Sequence, residues 1–525
     1  MDSPKIKTTA PATGSVLPPD VISSTSPPPP PPPTPATPLS QQSPLQDSSS
    51  FSSPPPPPPT APLRTIPPPA QPGMVSVRRS GLPKGVVISL VVLVVMLVLG
   101  LVTSFVFKYT PSLGIGTTTI TYWGLWEPES VMKPLIEEYQ KSHPRVKIVY
   151  QMQSPQEYRE RLTSAISQGK GPDIFRIHNT WVPMFRNLLS AVPADVYSSA
   201  DYPGVFYPTA RTDLRSGTNY VAVPLEIDGL LMYTNDGLLA KSGVAVPSNW
   251  EDLRTSALAM SVCESEDGTC HPGNKIVTSG VALGSVDNID HWQDIISVIM
   301  MQNNVNFNSV STSQKAAEDA VNYYTDFVNL YHVWDGILPS STNQFAAGKV
   351  GIYFGPSWRV FDIKKINPGL KFSVHPIPQL PLDPLRNEQP IAWASYWAEA
   401  VNSKSSNSKE AWDFVKYISS KENLPKFHQA SVSSGREFGE PYSRQDLSDQ
   451  IKSHPYLGPI AEQAVFARSW YLASFTHDGP SGINTKLSLL FADYINRKKD
   501  TNAFATELNQ VLSEYGLAVA ASTSR

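Results

Sequence analysis

From Gly85 to Phe107 the chain reads GVVISLVVLVVMLVLGLVTSFVF, a stretch without charge whose only polar side chains are Ser and Thr. As a helix rising ~1.5 Å per residue it would be ~34 Å long, enough to cross a bilayer. Such a segment divides the rest of the sequence between two compartments. Arg78, Arg79 and Lys84 crowd its amino-terminal flank, against Lys108 alone on the other side. The positive-inside rule then places residues 1–84 in the cytoplasm and everything after Lys108 outside. A cleaved secretory signal fits less well: the apolar run exceeds a usual signal core, an 84-residue segment precedes it, and KYTPSLGIG after it lacks a small-x-small cleavage pattern. No cysteine follows it to carry a lipid anchor. The expected organisation is a single-pass protein of the cell membrane. Residues 1–84 form a cytoplasmic tail, 85–107 the helix in the lipid bilayer, 108–116 a short linker and 117–525 an extracellular domain.

The tail holds half of the chain's 52 prolines, in runs such as Pro27 to Pro33 and Pro54 to Pro59 separated by Ser, Thr and Gln. With almost no large apolar side chains it cannot build a core and reads as a disordered, semi-stiff polyproline II tether. Service as a ligand for a proline-recognising partner is the alternative. It carries six basic and three acidic residues, so a net charge of -3 for the whole chain leaves about -6 for the remainder. A negative outer domain is a poor nucleic-acid binder. The two cysteines, Cys263 and Cys270, both lie outside and flank the polar loop ESEDGT. In an oxidising compartment a local disulfide is the natural reading.

Residues 117–525 exceed what one core usually serves, so two lobes are expected. TTITYW (Thr118 to Trp123) is a β-branched and aromatic run. Val131, Leu135, Ile136 and Tyr139 follow at helical spacing, and RVKIVY (Arg145 to Tyr150) returns to a strand pattern. Tyr158, Leu162 and Ile166 mark a second helix, ended by Gly169 and Gly171, before DIFRI (Asp173 to Ile177). Alternating strands and helices imply a parallel α/β sheet with right-handed crossovers. Open parallel sheets bind ligands beyond the carboxyl ends of their strands. There the sequence offers Trp126 and Glu127 after the first strand, and His178, Asn179 and Trp181 after the third. An indole beside hydrogen-bonding groups suits a sugar ring, with its apolar face and hydroxyl edge. Taken singly, either tryptophan also fits hydrophobic packing.

These segments, in order, resemble the extracellular solute-binding proteins of carbohydrate ABC importers, the family that includes maltose-binding protein. The likeness runs from ITYWGLWEP and KSHPRVKI through GKGPDIFRIHNTW to YVAVPLEIDGLLMYTNDGLLAKSGV and VPSNWEDL. It continues in FAAGKVGIYFGPSW and SKSSNSKEAWDFVKYI. It implies a two-lobed α/β fold of the type II periplasmic-binding-protein kind, with a hinge between lobes and the ligand enclosed by closure. The expected first lobe takes about 117–227 and 356–401, and the second about 228–355 and 402–525. By position the resemblance adds Glu226 and Asp228 at the crossing between lobes, Trp358 and Arg359 at the return crossing, and Trp397 in IAWASYWAEAV. Trp470 and Tyr471, in the poorly aligned FARSWYLASFTHDGPSG, fit packing equally well.

The function this implies is a receptor that captures an oligosaccharide or related polyol and hands it to ABC permease subunits in the membrane. A sensor or surface binding protein is a second reading, and it would need a partner for the cytoplasmic tail. A glycosidase is a third, because Glu226 and Asp228, two residues apart on a strand, would share one face about 7 Å apart. No H-E-x-x-H, Walker A, G-x-S-x-G or Cys–His pattern appears, and the nine histidines lack metal-ligand spacing. A binding protein without enzymatic activity, cofactor or metal is therefore expected.

Overall fold

A computed structural model describes residues 93–96, 98, 116–382, 385 and 388–517. The tail, most of the apolar segment and most of the linker lie outside these residues. Of the apolar segment, residues 93–96 and 98 are described, as exposed helix. Among the described residues no helix is long and apolar enough to cross a membrane.

The opening of the globular part folds as its periodicity dictates. β1 (Thr118–Gly124) buries Ile120 and Tyr122, and α1 (Glu129–Ser142) turns Val131, Met132, Leu135, Ile136 and Tyr139 inward. β2 (Val146–Met152) runs parallel to β1. α2 (Tyr158–Ser167) buries Tyr158, Leu162 and Ile166, and the fully buried β3 (Ile174–His178) pairs parallel on the other side of β1. Two later strands complete this sheet. β4 (Val223–Pro224) and β10 (Trp397–Val401) extend it in the order β2-β1-β3-β10-β4, with β10 antiparallel to both its neighbours.

The second sheet is built from β5 (Leu231–Asn235), β6 (Val262–Cys263), β7 (Ile276–Val281), β8 (Val350–Gly355) and β9 (Phe372–His375), in the order β9-β5-β8-β7-β6. Asn235 ends β5 and caps the next helix, its side chain accepting from the backbone N–H of Gly237 and Leu238. α3 (Trp250–Met260) is capped the same way by Asn249. The helices α4 (Trp292–Gln302), α5 (Gln314–Asn329) and α6 (Arg359–Ile366) belong to the same half.

The lobe boundaries differ from those expected in two places. The first lobe does not resume at Pro356: Phe372 and Val374 of β9 turn inward and cover the open edge of β5, so residues 356–375 stay with the second sheet. Conversely, residues after 402 are not all in the second lobe. α7 (Ser408–Ile418) packs against β10 and α1, and α8 (Leu424–Ser433) packs against α1. The cause is the apolar face of α7, where Phe414 sets its ring edge-on to Tyr122 and Tyr139 and so closes the first lobe's core. α9 (Ile483–Ile495) and α10 (Thr501–Glu514) pack on each other, and α10 packs on α5.

Cys263 and Cys270 are disulfide-bonded. In the loop they close, the Asp267 carboxylate accepts hydrogen bonds from Ser265 and Thr269, so its acidity is spent on holding the turn.

Candidate functional site

Between β4 and β5 the chain leaves the first sheet for the second, and Glu226, Asp228 and Gly229 ride on this crossing. It is held from both sides: Glu226 bridges the backbone of Tyr442, and Gly229 bridges Ala394. A Cβ on Gly229 would sit 1.8 Å from the Trp393 carbonyl oxygen, so only glycine permits this approach. A cavity of about 440 Å³ opens beside the crossing.

Seven of the ten expected residues line it: Trp126, His178, Glu226, Asp228, Trp358, Arg359 and Trp397. Trp397 starts β10 and is edge-on to Trp126 at 5.5 Å and to His178 at 5.0 Å between ring centroids. Trp126 is 39% exposed and offers the most accessible indole of this wall. His178 is buried, with Nδ1 at 2.8 Å from Thr180 Oγ1 and Nε2 at 3.1 Å from Ser395 Oγ. Burial pushes its pKa down to about 3, so the ring is neutral. Asp228 accepts from the Gly229 N–H (2.8 Å) and the Ser357 hydroxyl (2.8 Å), yet burial pushes its pKa up to about 7. Across the cavity the Arg359 guanidinium lies 4.3 Å over Trp358 and 4.8 Å over Phe475, donating to Asp362 (2.9 Å) and His291 (2.9 Å).

The other three expected residues stand behind the wall. Trp181 is fully buried, because the chain after β3 turns into a short helical stretch (Asn179–Trp181, then Val182–Phe185) that swings the indole inward onto Phe185. Asn179 donates to Asp213 and accepts from the Tyr396 N–H, fixing the backbone next to Trp397. Glu127 is committed to Arg176, whose Nη1 lies 2.6 Å from both its oxygens. The same guanidinium reaches Glu399 on β10 at 2.8 and 2.5 Å. Burial opposes charge on Arg176, but the two glutamates hold it protonated. Of the weaker candidates, Trp470 stacks on Phe307 at 4.1 Å, and neither it nor Tyr471 lines the cavity.

Sequence reasoning missed the third wall. Asp294 on α4 accepts from Trp393 Nε1 and the Ser474 N–H. Arg436 and Glu440 form an ion pair at the cavity, and Ser474, Phe475 and His477 arrive from the loop before α9. Phe475 and His477 both adopt left-handed backbone (φ 54° and 51°). His477 sets its ring 5.6 Å from Trp126, so the loop reaches across to the first lobe. The only sequence signal for this wall was the aromatic density of FARSWYLASFTHDGPSG, whose second half supplies these rings.

Two α/β lobes, a chain that crosses between them and an aromatic, polar-edged cavity at the crossing define a two-lobed solute-binding protein. The profile of the bacterial extracellular solute-binding protein family matches residues 125–424, and the chain belongs to that family. Members bind solutes and are not enzymes, and Asp228, pinned by Ser357 and Gly229, has a structural use that needs no catalysis. Among relatives, the maltotriose-binding protein of Pyrococcus abyssi (strain GE5 / Orsay) is 23% identical over 352 residues, covering 65% of this chain and 70% of that protein. A binding protein of Brucella abortus (strain 2308) is 24% identical over 307 residues, covering 56% and 71%. A cyclo/maltodextrin-binding protein crystallised with maltotetraose shares the fold with a TM-score of 0.58 at 16% identity, covering 77% of this chain and 98% of its own. The sugar-binding protein MalE of Xanthomonas citri does so at 0.59 and 16%, covering 76% and 97%.

Proposed function

We propose that this protein is a membrane-tethered extracellular receptor that takes a carbohydrate, an oligosaccharide or related polyol, into the cavity between its lobes and passes it to an ABC-type import permease. The observation that carries this reading is the cavity wall itself. Indoles at Trp126, Trp358 and Trp397 sit beside carboxylates at the crossing, Glu226 and Asp228, in a space of about 440 Å³. Ring faces stack on aromatic faces, and hydroxyls bond to the carboxylate edge. The relatives and structural neighbours named for maltotriose or solved with maltotetraose support the same class of ligand. Ligand contacts to both lobes favour the closed form, which the permease then recognises. Gly85 to Phe107 anchors the receptor so that it is not lost by diffusion, with residues 1–84 inside the cell.

The test is a thermal-shift screen of the full-length protein in a sugar-free detergent against mono- and oligosaccharides, with Trp126→Ala and Asp228→Asn as controls. A ligand that binds only the folded state raises the melting temperature by mass action. A shift with one saccharide class, reduced in both variants and without product formation, is the expected result. No shift with any saccharide, or release of cleaved sugar, would overturn the reading. The anchor is checked separately: the full chain should stay with the membrane pellet after alkaline carbonate washing, and a chain starting at Gly116 should not.

A further inference from the structure

Nothing in the connectivity of the chain requires the loop before α9 to touch the first lobe. Its two feet stand on the second half. Ser474 donates its N–H (2.9 Å) and its hydroxyl to Asp294 of α4, and its Oγ lies 2.7 Å from His291 Nδ1. Asp478 accepts from the Asn484 N–H (2.7 Å) and the Thr485 hydroxyl (3.1 Å) in the first turn of α9. Between these feet Phe475 and His477 take left-handed backbone, a conformation that bulky side chains keep only where the surroundings impose it. The span so formed turns its rings to the cavity: Phe475 lines it and is 44% exposed.

From this span a seam of contacts runs to the first lobe. His477 meets Trp126. Glu160 of α2 packs so closely on Gly479 that a Cβ there would lie 1.9 Å from its Oε1. Arg159 donates to the Ser481 hydroxyl, and the Tyr515 hydroxyl donates to the Ser481 carbonyl at 2.9 Å. Arg186, which follows the short helical stretch after β3, donates to the Tyr515 carbonyl. Apart from His477 and Trp126, no member of the seam lines the cavity, so a ligand neither makes nor replaces these bonds. Hinge opening would break the contacts between lobes together. Nor is the seam built like a permanent interface. Its hydrogen bonds are exposed to water, and among the described residues Arg159 Nε and Glu160 Oε2 are buried without a partner. An intramolecular hydrogen bond is worth about two- to tenfold in an equilibrium, so such a seam holds and can still part.

We propose that residues 474–482 are a strap that holds the lobes closed whether or not a ligand is present, and that its release is the step that admits or frees the ligand. The strap rests on the receptor reading only in taking this cavity for the ligand site. Because the ligand does not touch the seam, the strap favours the closed form equally with and without it. While the closed form predominates, weakening the strap should speed uptake and release together and leave affinity nearly unchanged.

The gate is tested without a ligand, on the full-length protein in detergent, through a thiol placed in the cavity wall. Cys263 and Cys270 are bonded to each other, so Ser395→Cys supplies the single free thiol. The reagent is a maleimide carrying a polyethylene glycol chain, too bulky to pass between closed lobes, and the rate of labelling reports opening. In this background Arg159→Ala and Ser481→Ala should each speed labelling about two- to tenfold. The double variant should be no faster than either alone, since both remove one bond. Lys409→Ala, which removes an exposed ion pair on α7, should leave the rate unchanged, and every variant should melt within about 2 °C of its parent. Labelling as fast in the parent as in the seam variants, or a slow rate that neither substitution changes, would overturn the strap and leave the receptor reading intact. A rise in rate matched by Lys409→Ala, or by a fall in melting temperature, would overturn it as general loosening. Labelling as expected, with no melting shift for any saccharide, would keep the strap and sink the receptor reading instead.

Discussion

Arg176 lies between two buried glutamates, and Arg176→Leu would leave both without a counter-charge. The guanidinium is 1% exposed, Glu127 2% and Glu399 0%, so water cannot replace what is lost. Removing one partner of such a buried cluster costs about 3–5 kcal/mol. For a domain of about 400 residues the unfolding entropy near the midpoint is ~0.8 kcal/mol per degree, so the melting temperature should fall by about 4–6 °C. If the first lobe melts alone, the entropy is roughly halved and the fall is about twice as large. The sign of the pH dependence follows from Glu399. Burial pushes its pKa up even with Arg176 beside it, and removal of the cation pushes it further. A carboxyl whose folded pKa lies above its unfolded one loses stability as pH rises, so the deficit should be larger at pH 8 than at pH 5. The assay is thermal unfolding followed by circular dichroism at both pH values. A fall under about 1 °C at both, or a larger deficit at pH 5, would refute the assignment of a buried, charge-coupled cluster. Replacing the whole cluster, with Arg176→Met, Glu127→Leu and Glu399→Leu together, should recover most of the loss. Because Glu127 follows Trp126 directly, the single variant should also weaken ligand binding.

Gly229→Ala would drive a methyl into the Trp393 carbonyl across the crossing, destabilising the fold by about 1–3 kcal/mol or more and lowering ligand affinity, both measurable by denaturation and calorimetry. Asp228 has its pKa raised to about 7 by burial, so it contributes a loss of stability as pH rises from its ordinary carboxylate range through 7. Asp228→Asn should flatten that part of the urea-denaturation profile between pH 5 and 8. Joint Cys263→Ser and Cys270→Ser substitution opens a loop with a sequence separation of 7. Hydrogen exchange should rise around that hairpin and stay unchanged in α1 and β1, since so short a closed loop constrains the unfolded chain little.

The opening β1-α1-β2-α2-β3 was legible because its periodicity is local: the residues at helical spacing are the ones α1 and α2 bury. The crossing was legible only through the resemblance of YVAVPLEIDGLLMYTNDGLLAKSGV and VPSNWEDL to the family, not from the periodicity of the segment itself. The lobe boundaries were not, because β9 returns antiparallel to β5 and α7 docks on β10, and neither pairing leaves a mark in the sequence of the segment itself. Trp181 and Glu127 look like ligand residues by type and position. Their direction is set by a helical turn and by Arg176, both of which require the three-dimensional partner. Arg436, Glu440 and the loop before α9 lie beyond the family match at residue 424, in a region without recognisable motifs.

The pairing of β10 also dictates an order of events. All five strands of the second sheet fall between residues 231 and 375, whereas the first sheet waits for β10, which pairs Trp397 with His178 and Val401 with Ile174. A chain that emerges from its amino end therefore has all the strands of its second sheet before it has all those of its first. Until residue 401 appears, β3 has an unpaired edge and β4 has no neighbour in the sheet. Such an edge is a template for wrong pairing, so the interval between the synthesis of β3 and that of β10 is when this receptor is most exposed to aggregation and to capture by chaperones.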